Sequence, residues 1–561
     1  MEEGALALAV NPEDAADPGR GRRPAPPGPS GGAAAALGLS QALQRCVRQQ
    51  AQAVAVVDGD TRLTWAQFAG RAMRLAGALR DLGMEDGDRV CMLADNGHRY
   101  LEFCFGVPWG GGVFTPLNFR LALPELERIV RHAGARILIV DDAWAELGAA
   151  LAAAAGVSVV IHAGEGAAPA GMASYERLLA EAAPAEDRGR RGDDVAALFY
   201  TSGSTGAPKG VMHTHANIMC SAWSSGLAVK LDETSVALVS GPLFHVGAAG
   251  LCLPVMICGG RVVLLPRFEP GAVARAIGAH GVTITSMVPT MLRMLLDDPA
   301  SRSCDLTSLR MLLYGAAPMP ETLLNEALAL MPQAQFVHCY GMTEATASCT
   351  ALPPRYVTTH RHEGRARSCG RALVGLDVAV FDPEGRPLPP GEPGEIVVRG
   401  PTVMKGYWRE PELTERAVRD GWLHTGDLGY MDDEGFVYVI DRLKDMIITG
   451  GENVYSSEVE DVICQLPGVA QCAVIGRPHE RWGEQVHAVI SVRPGFDLTG
   501  EAVIAHCRAR IAAYKCPRSV DLRSEPLPLS GANKVNKPLL RQQLREALER
   551  AGQESAAPGR A

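Results

Sequence analysis

A chain of 561 residues is too long for a single hydrophobic core, so two or more domains and room for a catalytic cleft are expected. With 47% hydrophobic, 21% charged and 5% aromatic residues, the composition is that of an ordinary globular protein and excludes a fibrous or wholly disordered chain. A net charge of -9 gives no general electrostatic reason to bind nucleic acid, so no nucleic-acid partner is expected and small-molecule chemistry is.

In chain order, residues 1–36 are rich in Pro, Gly and Ala without periodicity, and are expected to form a disordered tail. The opening "MEEGALALAV" carries two acids where a signal peptide would be basic, which argues against secretion. Fourteen cysteines are scattered, with no CxxC pair and no zinc-finger spacing. Reduced thiols in the cytoplasm are the simpler expectation. From residue 37 to about 190, helical stretches such as 66–82 alternate with apolar strands such as 136–140, the pattern of an α/β layered domain. That pattern continues through "RVVLLP" (261–266), "VTITSMVP" (282–289) and "LRMLLYG" (309–315). The apolar run 246–260 is shorter than the roughly 18 to 20 residues of a membrane span. Peripheral membrane contact and a homodimer stay open.

Around residue 371 the texture changes to short β segments with turn signals, "DVAVF", "DPEG" and "GEIVVRG", expected to form a small β-barrel-like subdomain. A compact α+β unit follows. Its first helix is expected at the capping-box spacing of Ser457 and Glu460, and strands at "AQCAVIG" and "QVHAVISV". The division is then a domain over 37–440, a smaller one over 441–548, and a flexible tail over 549–561.

One stretch, "FYTSGSTGAPKGVMHTH" (199–215), carries chemistry. Gly203, Gly206 and Gly210 allow close backbone approach, Thr201, Ser202, Ser204 and Thr205 offer hydroxyls, and Lys209 adds a point charge. Such a loop can hold a polyphosphate, although the Walker spacing is absent.

That loop resembles the nucleotide-phosphate loop of the adenylate-forming superfamily. The family's other motifs follow in order: "PLFHVG" (242–247), "YGAAP" (314–318), "YGMTEAT" (340–346), "GEIVVRG" (394–400), "WLHTGDLG" (422–429), "DRLKDMIITGGENVYSSEVE" (441–460) and "GANKVNKPLLR" (531–541). The resemblance spans about residues 40 to 545. It implies the adenylate-forming enzyme fold, in which the smaller C-terminal domain is mobile, and an acyl-CoA synthetase or fatty acid:CoA ligase that uses ATP, Mg²⁺ and CoA.

What the resemblance implies for single residues is specific. Thr201, Ser202, Gly203, Ser204, Thr205, Gly206 and Lys209 would cradle the β- and γ-phosphates, Glu344 would bind Mg²⁺, and Thr343 would contact phosphate. Tyr340 would face adenine beside Gly315, Ala316 and Ala317, with Gly341 and Met342 in the same motif. Asp427 would take the ribose hydroxyls, with Arg442 reinforcing it. Lys534 would bridge carboxylate and α-phosphate, although Asn533 stands where the family more often has glycine. Lys444 would be the hinge, Gly450 and Gly451 would let the pantetheine thiol pass, Lys515 would meet CoA phosphates, and His245 would gate the acyl channel. His213 and His215 fit a helix start and read as local structure. The expected substrate is a medium- or long-chain fatty acid. The alternatives are an aromatic acid, transfer to a carrier-protein thiol instead of CoA, and an inactive nucleotide-binding scaffold.

Overall fold

The computed structural model describes residues 37–202, 208–317, 319–358, 364–443, 445–479, 481–529 and 535–556. The expectations for the tail 1–36 and for Gly203, Ser204, Thr205, Gly206, Lys444 and Lys534 fall outside these residues, as does the side chain of Ser202.

Two mixed sheets with parallel centres dominate the N-terminal part, eight strands in one and nine in the other among the described residues. In the eight-stranded sheet, β1 (Val195–Ser202) and β2 (Pro208–Thr214) form an antiparallel hairpin that sets Thr201 opposite Lys209. The helix α1 (His215–Val229) starts directly after β2, because Thr214 and Asn217 exchange side-chain hydrogen bonds with each other's amides (3.0 and 2.9 Å). The expected helix start at "THAN" is where the chain turns.

The apolar run after residue 245 forms α2 (Val246–Cys258), packed against α1. In the nine-stranded sheet, β3 (Met311–Gly315) lies parallel to β4 (Gln335–Met342). The expected strands at 261–266 and 282–289 appear in the same sheet as Arg261–Leu264 and Ile284–Met287, the latter next to β3. Edge-to-face contacts Phe103–Phe114 (5.8 Å) and Phe114–Phe199 (5.9 Å) carry the apolar core up to β1. The core therefore ends directly behind β1, the strand that leads into the glycine-rich loop.

The expected β-rich region is a five-stranded antiparallel sheet holding β5 (Gly394–Arg399). Then β6 (Gly406–Tyr407) leaves this region and pairs with β2 across the larger domain. The chain returns as β7 (Trp422–Met431) and β8 (Val437–Arg442), which pair with Asp427 opposite Arg442. The C-terminal part is a further five-stranded sheet with α3 (Ser456–Ile463) and α4 (Lys537–Ala556).

Here the structure corrects the sequence reading. Ser457 and Glu460 do not form a capping box: α3 starts at Ser456, and its first amides go to Asp441, whose Oδ2 accepts from Ser456 N (2.5 Å) and Ser456 Oγ (2.7 Å). A carboxylate at a helix start adds an interaction with the helix dipole that a serine hydroxyl lacks. Ser457 instead donates to the Ile440 carbonyl, and Glu460 accepts from Val474 N (2.7 Å) and pairs with Lys537 (2.7 Å). The last helix also continues to Ala556, beyond residue 548, along a run rich in Glu, Arg, Gln and Ala. Among the described residues no helix is long and apolar enough to cross a membrane.

Candidate active site

The hairpin of β1 and β2 delivers Lys209 to the edge where β6 is laid down. Main-chain bonds fix that strap: Lys405 N to Met212 O (3.0 Å), Trp408 N to Gly210 O (2.7 Å) and Met404 N to Glu344 O (2.8 Å). The result is that Tyr407 stands between two of the expected site residues. Its Oη donates to Glu344 Oε1 (2.8 Å), and the Lys209 ammonium lies 5.1 Å over its ring. Burial first, and then the Glu344 charge, push the phenol's pKa above its ordinary value, so it stays a donor. Sequence reasoning missed Tyr407; the signal was the "MKGYW" run, whose Gly406 sits at φ +145 with Thr414 packed where a Cβ would go.

Thr343 and Glu344 occupy a short 3-10 turn after β4. Beneath them His213, buried at the end of β2, bonds through Nε2 to the Thr343 carbonyl (2.7 Å). Burial drives the His213 pKa down to about 4, so the ring is neutral and Nε2 carries the hydrogen it donates. The next residues are held in left-handed backbone, Thr346 at φ +53 and Ala347 at φ +89. Ser221 Oγ to Thr346 O (2.6 Å) and Thr346 Oγ1 to Thr402 O (2.7 Å) lock this turn. Ala316, beside Gly315 at the end of β3, is also left-handed, at φ +65. Strained non-glycine residues gathered at one place are a common mark of a functional site. Gly341 has no alternative: a Cβ there would stand 1.8 Å from the Ala347 carbonyl oxygen.

A second cluster is built by strand register. Because β7 pairs with β8 at Asp427 and Arg442, the guanidinium meets the carboxylate (Nε to Oδ1, 2.9 Å). Tyr340 Oη, from β4, donates to the other oxygen (2.7 Å). Asp427 is 3% exposed, and Thr425 Oγ1 accepts its amide hydrogen (3.1 Å). Burial and the Asp427 charge raise the Tyr340 pKa well above its usual value, which keeps this phenol a donor as well. The structure thus joins Tyr340, Asp427 and Arg442 in one network, and Lys209, Glu344 and Thr343 in a neighbouring one.

His245 stands at the start of α2, half-buried, with its ring 4.5 Å from that of Phe244. The cavity next to it is lined from α2 by Val246, Ala249, Gly250 and Leu253, one face of the helix. Leu251, Cys252, Val255 and Met256 of the same helix are core. The run therefore lines the cavity with one face and packs into the core with the other. Phe199 forms another wall of the cavity, backed by Phe114.

Gly450 (φ +61) and Gly451 (φ +88) close a hairpin on the C-terminal sheet, where Gly450 packs on the Trp482 ring. Among the described residues no hydrogen bond links this hairpin to Lys209, Glu344, Tyr340 or Asp427. Lys515 is engaged by Glu458 (2.7 Å). Next to the Lys444 position, Arg541 of α4 pairs with Asp445 (2.8 Å).

Among the described residues no group of three or more His, Cys, Asp or Glu side chains could hold a metal alone. Glu344 fits Mg²⁺ in a different manner: that ion is commonly held by one or two carboxylates with substrate phosphates and water completing the shell.

Comparison with known proteins identifies the family of the chain. The AMP-binding enzyme family matches residues 43–408, and the AMP-binding enzyme C-terminal domain matches residues 458–534. A feruloyl-CoA synthase of Amycolatopsis sp is 43% identical over 505 residues, covering 89% of this chain and 98% of the relative. The long-chain-fatty-acid–CoA ligase FadD13 of Mycobacterium tuberculosis is 36% identical over 504 residues, 89% of this chain and 96% of that one. Among solved structures, the o-succinylbenzoate CoA synthetase MenE of Bacillus subtilis, in complex with its acyl-adenylate intermediate, superposes with a TM-score of 0.79. That match has 31% identity and covers 90% of this chain and 97% of that one. With both domains matched in order and relatives aligned nearly end to end, the chain belongs to the AMP-binding enzyme family, in its acyl-CoA synthetase branch.

Proposed function

We propose that this acid:CoA ligase activates a flat aromatic carboxylic acid, of the size of a phenylpropenoid, rather than the fatty acid first expected from the sequence. The observation that carries the choice is the wall of the cavity beside His245. Phe199 closes it, 3% exposed and packed edge-to-face on Phe114 at 5.9 Å, so a long chain would have to displace the core. A compact ring acid makes a smaller demand on that wall than an extended chain does. The higher identity to a feruloyl-CoA synthase (43%) than to a fatty-acid ligase (36%) supports the same reading.

In the first half-reaction a carboxylate oxygen attacks the α-phosphorus of ATP, the bond to the β-phosphate breaks, and pyrophosphate leaves with acyl-AMP formed. Two anions must meet, so alignment and charge neutralisation dominate. Lys209, Thr201 and Ser202, with Gly203, Ser204, Thr205 and Gly206 of the loop, hold the β- and γ-phosphates, and Thr343 adds a hydroxyl. Glu344 would hold Mg²⁺, whose charge offsets that of the phosphates. Tyr340 faces adenine near Gly315, Ala316, Ala317, Gly341 and Met342, while Asp427 and Arg442 take the ribose. Lys534 bridges carboxylate and α-phosphate. In the second half-reaction the CoA thiolate attacks the acyl carbon, the bond to the AMP oxygen breaks, and AMP leaves. Lys444 serves as the hinge for that step, Gly450 and Gly451 as the thiol's path, and His245 as the gate of the acyl cavity.

The test is pyrophosphate release from Mg·ATP with ferulate, coumarate, benzoate and acids from acetate to palmitate, each with and without CoA. CoA-stimulated release with the ring acids, at least about tenfold above palmitate, is the expected result. Lys534→Ala should lower it by about 10²- to 10³-fold, the loss typical of one preorganised donor. A preference for palmitate would overturn the aromatic assignment, and acyl-AMP formation that CoA never accelerates would move the acceptor to a carrier protein.

A further inference from the structure

Lys209 and Glu344 carry opposite charges at the same edge of the domain, yet they form no ion pair among the described residues. Tyr407 touches both. Its ring lies 5.1 Å beneath the Lys209 ammonium, and its hydroxyl donates to Glu344 Oε1 at 2.8 Å. We propose that Tyr407 is a positioning residue which keeps the phosphate-binding lysine and the metal-binding carboxylate apart and aimed, so that neither is neutralised by the other before Mg·ATP arrives. This inference rests on the roles given above to Lys209 and Glu344.

The physical argument starts from what the two groups would do without the ring. An ammonium and a carboxylate that can reach each other pair, and a pair at a partly buried site is held more strongly than one in water. Such a pair would have to break each time the triphosphate and its cation bound. A phenol and a ring face are weaker partners, and both exchange readily for phosphate oxygens and a divalent ion. They orient without competing.

The position of Tyr407 is also overdetermined, as a positioning role requires. It is 6% exposed, and its strand is registered on β2 at Val211. Its amide donates to Thr414 Oγ1 (2.8 Å), whose own hydroxyl donates to Glu410 O (2.9 Å). Thr414 can come so close only because residue 406 is glycine: a Cβ there would stand 2.7 Å from Thr414 Cγ2. One residue further on, Trp408 N bonds to Gly210 O, next to Lys209 itself. The strap therefore fixes the ring against the lysine by backbone bonds on one side and by Met404 N to Glu344 O on the other.

The test uses the full chain and reads binding rather than turnover. Calorimetric titrations with Mg²⁺-loaded α,β-methylene-ATP, and separately with AMP, are compared for the wild type, Tyr407→Phe and Tyr407→Leu. Tyr407→Phe keeps the ring and loses the donor to Glu344, so it should bind the triphosphate analogue about tenfold more weakly, with AMP changed by less than about twofold. Tyr407→Leu loses the ring as well and should weaken the analogue further with AMP again spared. Equal binding of the analogue by Tyr407→Phe and wild type overturns the inference. So does an equal weakening of both nucleotides, which would mean that the ring only packs. Wild-type chain that binds neither nucleotide overturns this inference and the ligase reading together. If the wild type binds both and the variants split as expected, but no acid releases pyrophosphate, the ligase reading alone falls.

Discussion

The two halves of the site are built to different standards of completeness. On the proposed nucleoside side each group already has its partner: Asp427 is buried, its two oxygens are taken by Tyr340 and Arg442, and its amide is held by Thr425. Behind it, Glu395 Oε1 accepts the Gly426 amide (3.0 Å), which fixes the turn that presents the carboxylate. On the proposed phosphate side Lys209 meets a ring face and Glu344 meets one phenol. On the proposed reading, the invariant half of the ligand, adenosine, would meet a surface made in advance. The half that departs as pyrophosphate would meet groups with exchangeable partners, which suits a site that must also let its product go.

If that contrast holds, the largest effect should come from the centre of the finished side. Asp427→Ala removes the ribose acceptor and leaves the Tyr340 hydroxyl buried beside an empty position. Hydrogen bonds to a charged group contribute about 1.5 to 3 kcal/mol each, so AMP affinity should fall by about 100-fold or more. Calorimetry with AMP checks this. A loss of less than about fivefold would show that the buried network is scaffold and not a nucleotide surface.

The unfinished side should fail first under acid. His213 backs the Thr343 carbonyl, and burial holds its pKa near about 4, against 6.5 for the free side chain. Its folded pKa is depressed, so the unfolded chain takes up the proton first. The stabilisation is complete above about pH 6.5 and is lost as pH falls from there towards 4. Between pH 7.5 and 5 this one group should cost about 2 kcal/mol, and buried His215, also held near about 4, adds to the same trend. Thermal melts across that range should fall for the wild type and fall less steeply for His213→Gln, which keeps a donor and cannot be protonated. Parallel slopes for the two proteins would remove His213 from the account.

The same contrast marks what could be read from the sequence. Lys209, Thr343, Glu344, Tyr340, Asp427 and Arg442 each sit in a motif with local character, and so do the strands at 261–264, 284–287 and 311–315. The α/β layering followed from apolar runs of the right lengths, because a parallel strand buried on both faces must be apolar throughout. Tyr407 and Asp441 were missed for one reason: their partners are distant in sequence, and only strand register brings β6 to β2 and β8 to the start of α3. The capping box at Ser457 and Glu460 failed because Asp441 of β8 takes the Ser456 and Ser457 amides, while the Glu460 carboxylate is drawn away to Val474 N and Lys537. Local spacing states which cap is available and is blind to better ones arriving from elsewhere. The side of α2 that faces the cavity was likewise hidden in an apolar run with no polar residue to mark it.

The smallest expected effect is the most discriminating. Tyr340→Phe removes the 2.7 Å hydrogen bond to Asp427 Oδ2 and keeps the ring, while Arg442 still holds Oδ1. One acceptor oxygen loses a donor and can turn to the ribose or to water, so the change should be only about 1 kcal/mol, or about fivefold in affinity. What matters is its distribution. The nucleoside is common to AMP and to Mg²⁺-loaded α,β-methylene-ATP, so both ligands should weaken by the same factor in Tyr340→Phe. Lys209→Met acts on the other side, and should spare AMP while weakening the triphosphate analogue by about tenfold. Were Tyr340→Phe to weaken the analogue alone, the two networks would not be two halves of one site, because a side chain on the buried network would then be reporting on the phosphates proposed to lie against Lys209.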